Sequence, residues 1–262
     1  MQNSAKILLN LAASLLVTVT ATSVNAETKI GDVTINANVS LASDYVWRGL
    51  SQTDGDPAIQ GGFKVSHALG FYAGVWGSNV DFDGGGTAVD GGLPHMEADL
   101  SAGFAKEFPN NLSMDLGAIH YGYPGSAARV GSDFQEIYLG FGYKFMGSTL
   151  SAKYSYSPDF SGATDAAGNL NRSQSASYIE GQVDYEFPAS IKGSAHYGYS
   201  FGSYFDMPGV ADGYGDYRLG VAKELAGLNF GINWYGTDHD GKRYAIPRLA
   251  QDRLVLSISK DF

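Results

Sequence analysis

The feature that most constrains the fold is a strict alternation of apolar and polar residues that recurs along the chain. Between residues 34 and 48, polar residues occupy one parity and apolar residues the other, namely Ile35, Ala37, Val39, Leu41, Tyr45 and Trp47. Successive side chains of a β-strand point to opposite faces, so this pattern predicts a strand with one apolar and one polar face. Fifteen residues is long for a strand of an ordinary soluble protein.

The same alternation recurs in five later segments. They cover residues 96–104, 136–145, 179–187, 228–234 and 253–259. A soluble β-sandwich also alternates, but here the polar parity carries full charges and the apolar parity ends in aromatic residues. A polar inner face and aromatic residues at both water interfaces are typical of a transmembrane barrel. The pattern therefore predicts an all-β fold, a single antiparallel up-and-down transmembrane β-barrel.

The connections between the predicted strands are short and long in turn. Five are tight, at 68–69, 109–111, 146–148, 188–190 and 226–227, and six are long, at about 49–57, 80–94, 124–133, 158–174, 201–213 and 237–250. The series of connections begins and ends with a long one, which gives six hairpins. Six hairpins make about 12 strands, an even number as in bacterial barrels. Both termini then lie at the end with the short turns, which faces the periplasm.

The N-terminus has the features of a secretory signal peptide. Lys6 precedes an apolar run from Ile7 to Val19, and small residues lead to Ala26. This predicts a cleaved signal peptide over 1–26 and a barrel domain over 27–262. An uncleaved anchor is the alternative, but the run is short for a helix that spans a bilayer. Export of a barrel predicts the outer membrane of a Gram-negative bacterium.

Composition excludes several classes of protein and of site. The chain has no Cys, so it forms neither disulfides nor thiolate metal sites. Its net charge of −10 and the lack of a basic stripe argue against nucleic acid as a partner. The 35 glycines and 31 tyrosines and phenylalanines together (17 Tyr and 14 Phe) suit closely packed strands with aromatic surface.

Three motifs resemble catalytic or metal sites without their usual context. Residues 198–202 match G-x-S-x-G, but no helical pattern follows, as a nucleophile elbow requires. His95, Glu97 and Asp99 share one strand face, yet steps of ~6.6 Å are too wide for one ion. Paired aspartates in the long loops lack the rest of an EF-hand. We read all of them as luminal or loop residues, and we expect no enzyme activity, metal or cofactor.

The inward parity carries most of the charged side chains. Those predicted to line a pore are Asp44, Arg48, Lys64, Glu97, Asp99, Asp115, Glu136, Lys144, Lys153, Glu180, Asp184 and Arg218. Four further charges share this parity, namely Glu186, Lys192, Asp216 and Arg253. Nine acids against seven bases predict a channel with a weak preference for cations. The alternative is that salt bridges fill and close the lumen, because about twelve strands lie between filled barrels and open pores.

The C-terminus predicts how the barrel is assembled. The chain ends in Phe262 after the alternating residues Leu254, Leu256 and Ile258. A terminal aromatic residue resembles the assembly signal of outer-membrane proteins, so we expect the barrel-assembly machinery to be a partner. The apolar face predicts contact with outer-membrane lipid and lipopolysaccharide.

A series of short motifs runs through the segment 41–79 and continues further along the chain. The motifs are Ser43-Asp44-Tyr45, Arg48-Gly49, Ser51-Gln52-Thr53, Pro57-Ala58, Gln60-Gly61-Gly62, Gly74-Val75-Trp76, Tyr121-Gly122-Tyr123-Pro124-Gly125, Glu136-Ile137-Tyr138 and Tyr154-Ser155-Tyr156-Ser157. They resemble the TorF family of porin-like proteobacterial proteins over nearly all the mature chain. The resemblance implies an outer-membrane barrel and carries over no catalytic residues.

The sequence therefore predicts a passive channel for small solutes or ions. Two other functions remain open. One is a structural or adhesin barrel whose long loops bind partners while the lumen stays closed. The other is an outer-membrane enzyme that acts on lipids, which needs a nucleophile and a base on the lipid-facing wall.

Overall fold

The computed structural model describes residues 27–82, 93–126, 133–160, 174–206, 212–244 and 248–262. Its strands are β1 (Thr28–Ile30), β2 (Val33–Ala42), β3 (Val46–Trp47), β4 (Leu50–Ser51), β5 (Ala58–His67), β6 (Phe71–Asn79), β7 (Met96–Glu107), β8 (Leu112–Gly122), β9 (Phe134–Phe145), β10 (Ser148–Ser157), β11 (Ala176–Phe187), β12 (Ile191–Phe201), β13 (Gly213–Leu225), β14 (Leu228–Thr237) and β15 (Arg253–Asp261). A 3₁₀ turn covers Pro188–Ser190 and helix α1 covers His239–Tyr244. The predicted signal peptide lies outside the described residues.

Twelve of these strands close into an antiparallel barrel. From β5 to β15 each wall strand pairs with the next, while β2 pairs with both β15 and β5 and so joins the two ends. Pairing continues to the last residue, because the Phe262 N–H donates to the Ala37 carbonyl at 2.8 Å. No unpaired edge remains among the twelve strands, which a sheet in hydrocarbon requires. The predicted twelve-stranded antiparallel barrel is confirmed.

The short connections have the turn geometry that hairpins favour. At Met146–Gly147 the two φ angles are 49° and 78°, and at Ala226–Gly227 they are 54° and 75°. Turns with positive φ at both central residues match the right-handed twist of the strands that they join. The tight turns fall where the sequence predicted them, and Glu27 and Phe262, the two ends of the described chain, lie at the same end of the barrel as these turns.

The outer face of the wall is apolar. On β9 the outward residues Ile137, Leu139, Phe141, Tyr143 and Phe145 are exposed, and the residues between them are mostly buried. The other wall strands follow the same alternation. Such a surface suits hydrocarbon outside and a polar lumen inside. None of the helices in the described part of the chain is long and apolar enough to cross a membrane.

The first wall strand is shorter than predicted. β2 ends at Ala42 instead of continuing to residue 48. Tyr45 and Trp47, predicted to share the outward apolar parity, lie inside the barrel, with Tyr45 only 3% exposed. The prediction was wrong here because alternation does not mark where a chain leaves the wall. The short strands β1, β3 and β4 and helix α1 were not predicted either.

Candidate functional site

The charged residues predicted to line a pore are inside the barrel, with one at its rim. Ten of the twelve lie on wall strands, whereas Asp44 and Arg48 lie on the connection between β2 and β5. Lys144 is at the rim with the short turns, where its side chain is 37% exposed and pairs with Glu107 at 3.3 Å. Asp44 and Arg48 were predicted on a wall strand and lie instead on the connection, and the pore-lining role of all twelve residues stays a prediction.

The connection between β2 and β5 folds into the interior of the barrel, and we call residues 43–57 the inward segment. It contains the small hairpin of β3 and β4. Its root is fixed by Asp44, whose carboxylate accepts hydrogen bonds from Ser51 Oγ at 2.7 Å and Thr53 Oγ1 at 2.9 Å. The same carboxylate forms an ion pair with Arg253 of β15. Ser51 and Thr53 are almost completely buried.

The tip of the inward segment reaches the far wall. Arg48 Nη2 lies 2.8 Å from Glu136 Oε2 on β9, which is five strands from β2 around a barrel of twelve. The Arg48 guanidinium also lies over the rings of Trp47 and Tyr178, with its Cζ 4.3 and 4.1 Å from their centroids. The Tyr214 hydroxyl donates to the Arg48 carbonyl at 3.1 Å. The inward segment therefore crosses the lumen.

The environment of Arg48 keeps its guanidinium charged. The side chains of Arg48 and Glu136 are 6% and 3% exposed. Burial opposes the charge on Arg48, but Glu136, Tyr121 and Tyr178 together outweigh burial and raise the pKa of the guanidinium above its ordinary value. The contact is thus a buried ion pair within hydrogen-bond distance.

Aromatic side chains fill the barrel around the inward segment. The Trp47 ring lies 5.8 Å from Tyr121, 6.2 Å from Phe134 and 6.3 Å from Phe160, measured between centroids. Tyr121 and Phe134 stack on each other at 4.3 Å. Aromatic packing of this kind is worth about 0.5–1.5 kcal/mol per pair beyond area burial. The long-loop end of the lumen is therefore occupied by a packed core instead of water.

A second network of charges runs across β10 to β13. Lys153 Nζ lies 2.7 Å from Glu180, and His196 Nε2 lies 3.0 Å from the other oxygen of the same carboxylate. His196 Nδ1 is 3.7 Å from Asp216, which also accepts a hydrogen bond from Tyr178 at 3.0 Å. Opposite charges within this network partly cancel, which weakens the field along the lumen.

Arg218 is held by neutral groups. Its guanidinium donates to Gln182 at 2.8 Å, to Ser194 at 3.1 Å and to Asn233 at 3.2 Å. Between Arg218 and Arg48 lies a cavity of about 30 Å³, room for about two water molecules. This cavity by itself is too small for a hydrated ion or a sugar.

Tyrosines on the inner wall lie flat over glycines. The Tyr72 hydroxyl donates to Asp115 at 2.7 Å and contacts the Tyr138 hydroxyl, and Lys64 Nζ lies 4.3 Å from the centre of the Tyr72 ring. A Cβ at Gly117 would be 2.5 Å from the Tyr138 hydroxyl oxygen. Glycine therefore permits this close approach, which accounts for part of the glycine content.

The motifs that resembled catalytic or metal sites have ordinary structural positions. Ser200 is fully buried near the end of β12, and the described residues directly after it, 201–206, form no helix. Glu97 and Asp99 are buried, with Glu97 accepting from the Tyr45 hydroxyl at 3.3 Å, whereas His95 is exposed. The described residues contain no group of three or more potential metal ligands.

A closed antiparallel barrel of twelve strands, apolar outside and charged inside, defines a transmembrane β-barrel of the outer-membrane type. The chain belongs to the bacterial family Gcw_chp, described as a bacterial protein of unknown function, whose profile matches residues 26–262. This description does not confirm the TorF name, although the barrel fold that the resemblance implied is confirmed.

Solved porin structures share the fold. The NanC porin is 10% identical with a TM-score of 0.56, and the match covers 86% of this chain and 97% of that one. The KdgM porin is 10% identical with a TM-score of 0.53, covering 87% of this chain and 98% of that one. A second KdgM structure, in complex with disordered oligogalacturonate, is 9% identical with a TM-score of 0.53, and the match covers the same shares of the two chains. No curated protein matches the sequence.

Proposed function

We propose that the chain is an outer-membrane, porin-like channel for passive diffusion of small solutes or ions. The observation that carries the proposal is the closed wall with an apolar outer face and a charged interior. Such an interior is costly to maintain in a purely structural barrel, because buried charges gain little net stability from pairing. The similarity of the fold to the NanC and KdgM porins supports the same function.

The proposal includes the location and the partners of the protein. The signal peptide over 1–26 exports the chain, Phe262 engages the barrel-assembly machinery, and the apolar band contacts outer-membrane lipid and lipopolysaccharide. The protein is not an enzyme, uses no cofactor and binds no nucleic acid. The lumen admits small solutes or ions.

We also propose a weak preference for cations. Nine acids and seven bases lie on the inward parity, so the excess of negative charge is small. Many of these charges are paired, as in Arg48–Glu136 and Lys153–Glu180. Salt screens charges beyond ~10 Å at 0.1 M, so the preference should fade as ionic strength rises.

Reversal potentials in planar bilayers test this selectivity. The mature chain should pass ion current with a modest cation preference, and replacing Arg48 and Lys64 by Gln should increase that preference because two positive charges leave the lumen. Lys106→Gln is the control, because Lys106 is exposed and shares the outward face of β7 with Phe104. Clear anion selectivity of the wild type, or an equal shift in the control, would contradict the proposal.

A second candidate function is a structural or adhesin barrel with a closed lumen. It is favoured by one observation, the inward segment that crosses the barrel from β2 to β9. Swelling of liposomes in small sugars separates the two functions. A channel gives swelling that falls with solute size, whereas a closed barrel gives none.

A further inference from the structure

The inference that follows rests on the proposed channel function and concerns its regulation. The inward segment contacts at least eight wall strands other than the two that it joins, namely β6 to β9, β11 and β13 to β15. Tyr45 bonds to Glu97 of β7, Arg48 pairs with Glu136 of β9, and its guanidinium lies over Tyr178 of β11. The tip also contacts β13 and β14 around Arg48 and Gly49. A channel that conducts must free the space occupied by these residues.

The root and the tip of the inward segment are held in different ways. The root is continuous with the wall, because the Ser43 N–H donates to the Leu256 carbonyl at 2.8 Å and Asp44 pairs with Arg253. The tip is attached to the far wall by the Arg48–Glu136 pair, and it packs closely on β13 at Gly49, where a Cβ would lie 2.7 Å from that of Asp216. The tip can therefore leave the far wall while the root keeps its bonds.

The backbone of the inward segment changes direction at residues with positive φ. Arg48 and Gly49 have φ angles of 48° and 77°, and Asp54 and Gly55 have φ angles of 54° and 88°. The first pair is the two-residue turn that joins β3 to β4, and the second follows β4. Glycine takes up positive φ at no steric cost, so Asp54–Gly55 is a point where the β3–β4 hairpin can reorient as a unit.

We propose that the inward segment is a gate that closes the lumen, and that the Arg48–Glu136 ion pair is its latch. When the tip is seated, both charges are buried and paired. Removal of one partner leaves the other buried and unpaired, which is strongly destabilising, whereas both regain water when the tip leaves the wall. Loss of either charge should therefore favour the open state, and exchange of the two charges should restore the closed state.

Single-channel recording of four proteins tests the latch: the wild type, Arg48→Glu, Glu136→Arg and the double exchange. Each single variant should raise the open fraction by about tenfold or more, because like charges then face each other in a buried site. The double exchange should return the open fraction toward the wild-type value. Heat modifiability on gels shows that each barrel is folded before it is recorded.

Two further variants keep the test decisive. Lys106→Glu reverses an exposed charge at the short-turn end of β7, away from the inward segment, and should leave the open fraction unchanged. Tyr214→Phe removes the hydroxyl that donates to the Arg48 carbonyl and leaves the Arg48–Glu136 pair in place. It retains both charges, so it should fold even if the charge variants do not, and it should raise the open fraction by a smaller factor.

The outcomes separate the latch from the channel itself. Equal, nonzero currents in the wild type, the single variants and Tyr214→Phe would overturn the latch and leave the channel function standing. A double exchange that stays as open as the single variants would also overturn it. Absence of current from every folded variant would overturn the channel function as well.

Discussion

A step of one residue along a wall strand decides whether a side chain contacts lipid or lumen. On β9, Leu139 is exposed on the outer face, whereas its neighbour Tyr138 is buried inside against Tyr72. On β10, the inward Ser151 is half-buried beside the charged Lys153. The two faces therefore differ sharply in what they tolerate.

Leu139→Arg should destabilise the barrel by about 2–4 kcal/mol, because it places a charge near the middle of the apolar band. Ser151→Arg is the matched control and should cost much less, since its side chain enters a polar lumen. Tyr138 would be a poor control, because its replacement also removes a buried contact. Folding titrations in lipid vesicles with urea measure both changes, and equal costs would contradict the assignment of faces.

At the scale of elements, closure of the barrel depends on the last strand. β15 joins β14 to β2, and the Phe262 and Ala37 backbones exchange hydrogen bonds of 2.8 and 3.0 Å. Just beyond this point β1 pairs with β2 from Ile35 to Val33, so β1 continues the hydrogen bonding along the same edge of β2 where the pairing with β15 stops. Without β15, two strands would present unpaired backbone groups to lipid, which is costly.

Phe262→Ala should reduce the amount of heat-modifiable barrel in the outer-membrane fraction, because it removes the terminal aromatic residue while leaving the backbone bonds possible. Deletion of residues 253–262 should abolish the folded form. Phe187→Ala, at the end of β11 and also exposed on the outer face, is the control for simple loss of an aromatic side chain. Wild-type assembly of Phe262→Ala would exclude the proposed role in assembly.

The sequence predicts the wall of this barrel well and its interior poorly. Alternation and turn chemistry are local, so the strand count, the short turns and the inward parity follow from them directly. The inward segment depends on contacts such as Arg48 with Glu136, which are 88 residues apart. Its only signal in the sequence is the mixture of aromatic and charged residues around Tyr45 and Trp47. This composition suits neither a surface in lipid nor a loop in water.

At the scale of the whole molecule, the wall and the inward segment act as separate parts. The wall supplies the closed barrel that the NanC porin shares at a TM-score of 0.56. In our proposal the inward segment decides whether the lumen is open, because its Trp47 packs on Tyr121 and Phe134 of the wall and so fills the lumen. Loss of the segment tip should therefore leave the wall intact and widen the path through it.

Planar-bilayer conductance of the mature chain, beside a variant in which residues 46–51 are replaced by a short Gly-Ser linker, tests the central claim most directly. The wild type should give small, infrequent current steps, and the variant should give larger and longer steps because its lumen is no longer crossed. Both proteins must first be heat-modifiable, which establishes that each is folded. If both are folded and neither passes ions, the barrel is not a channel.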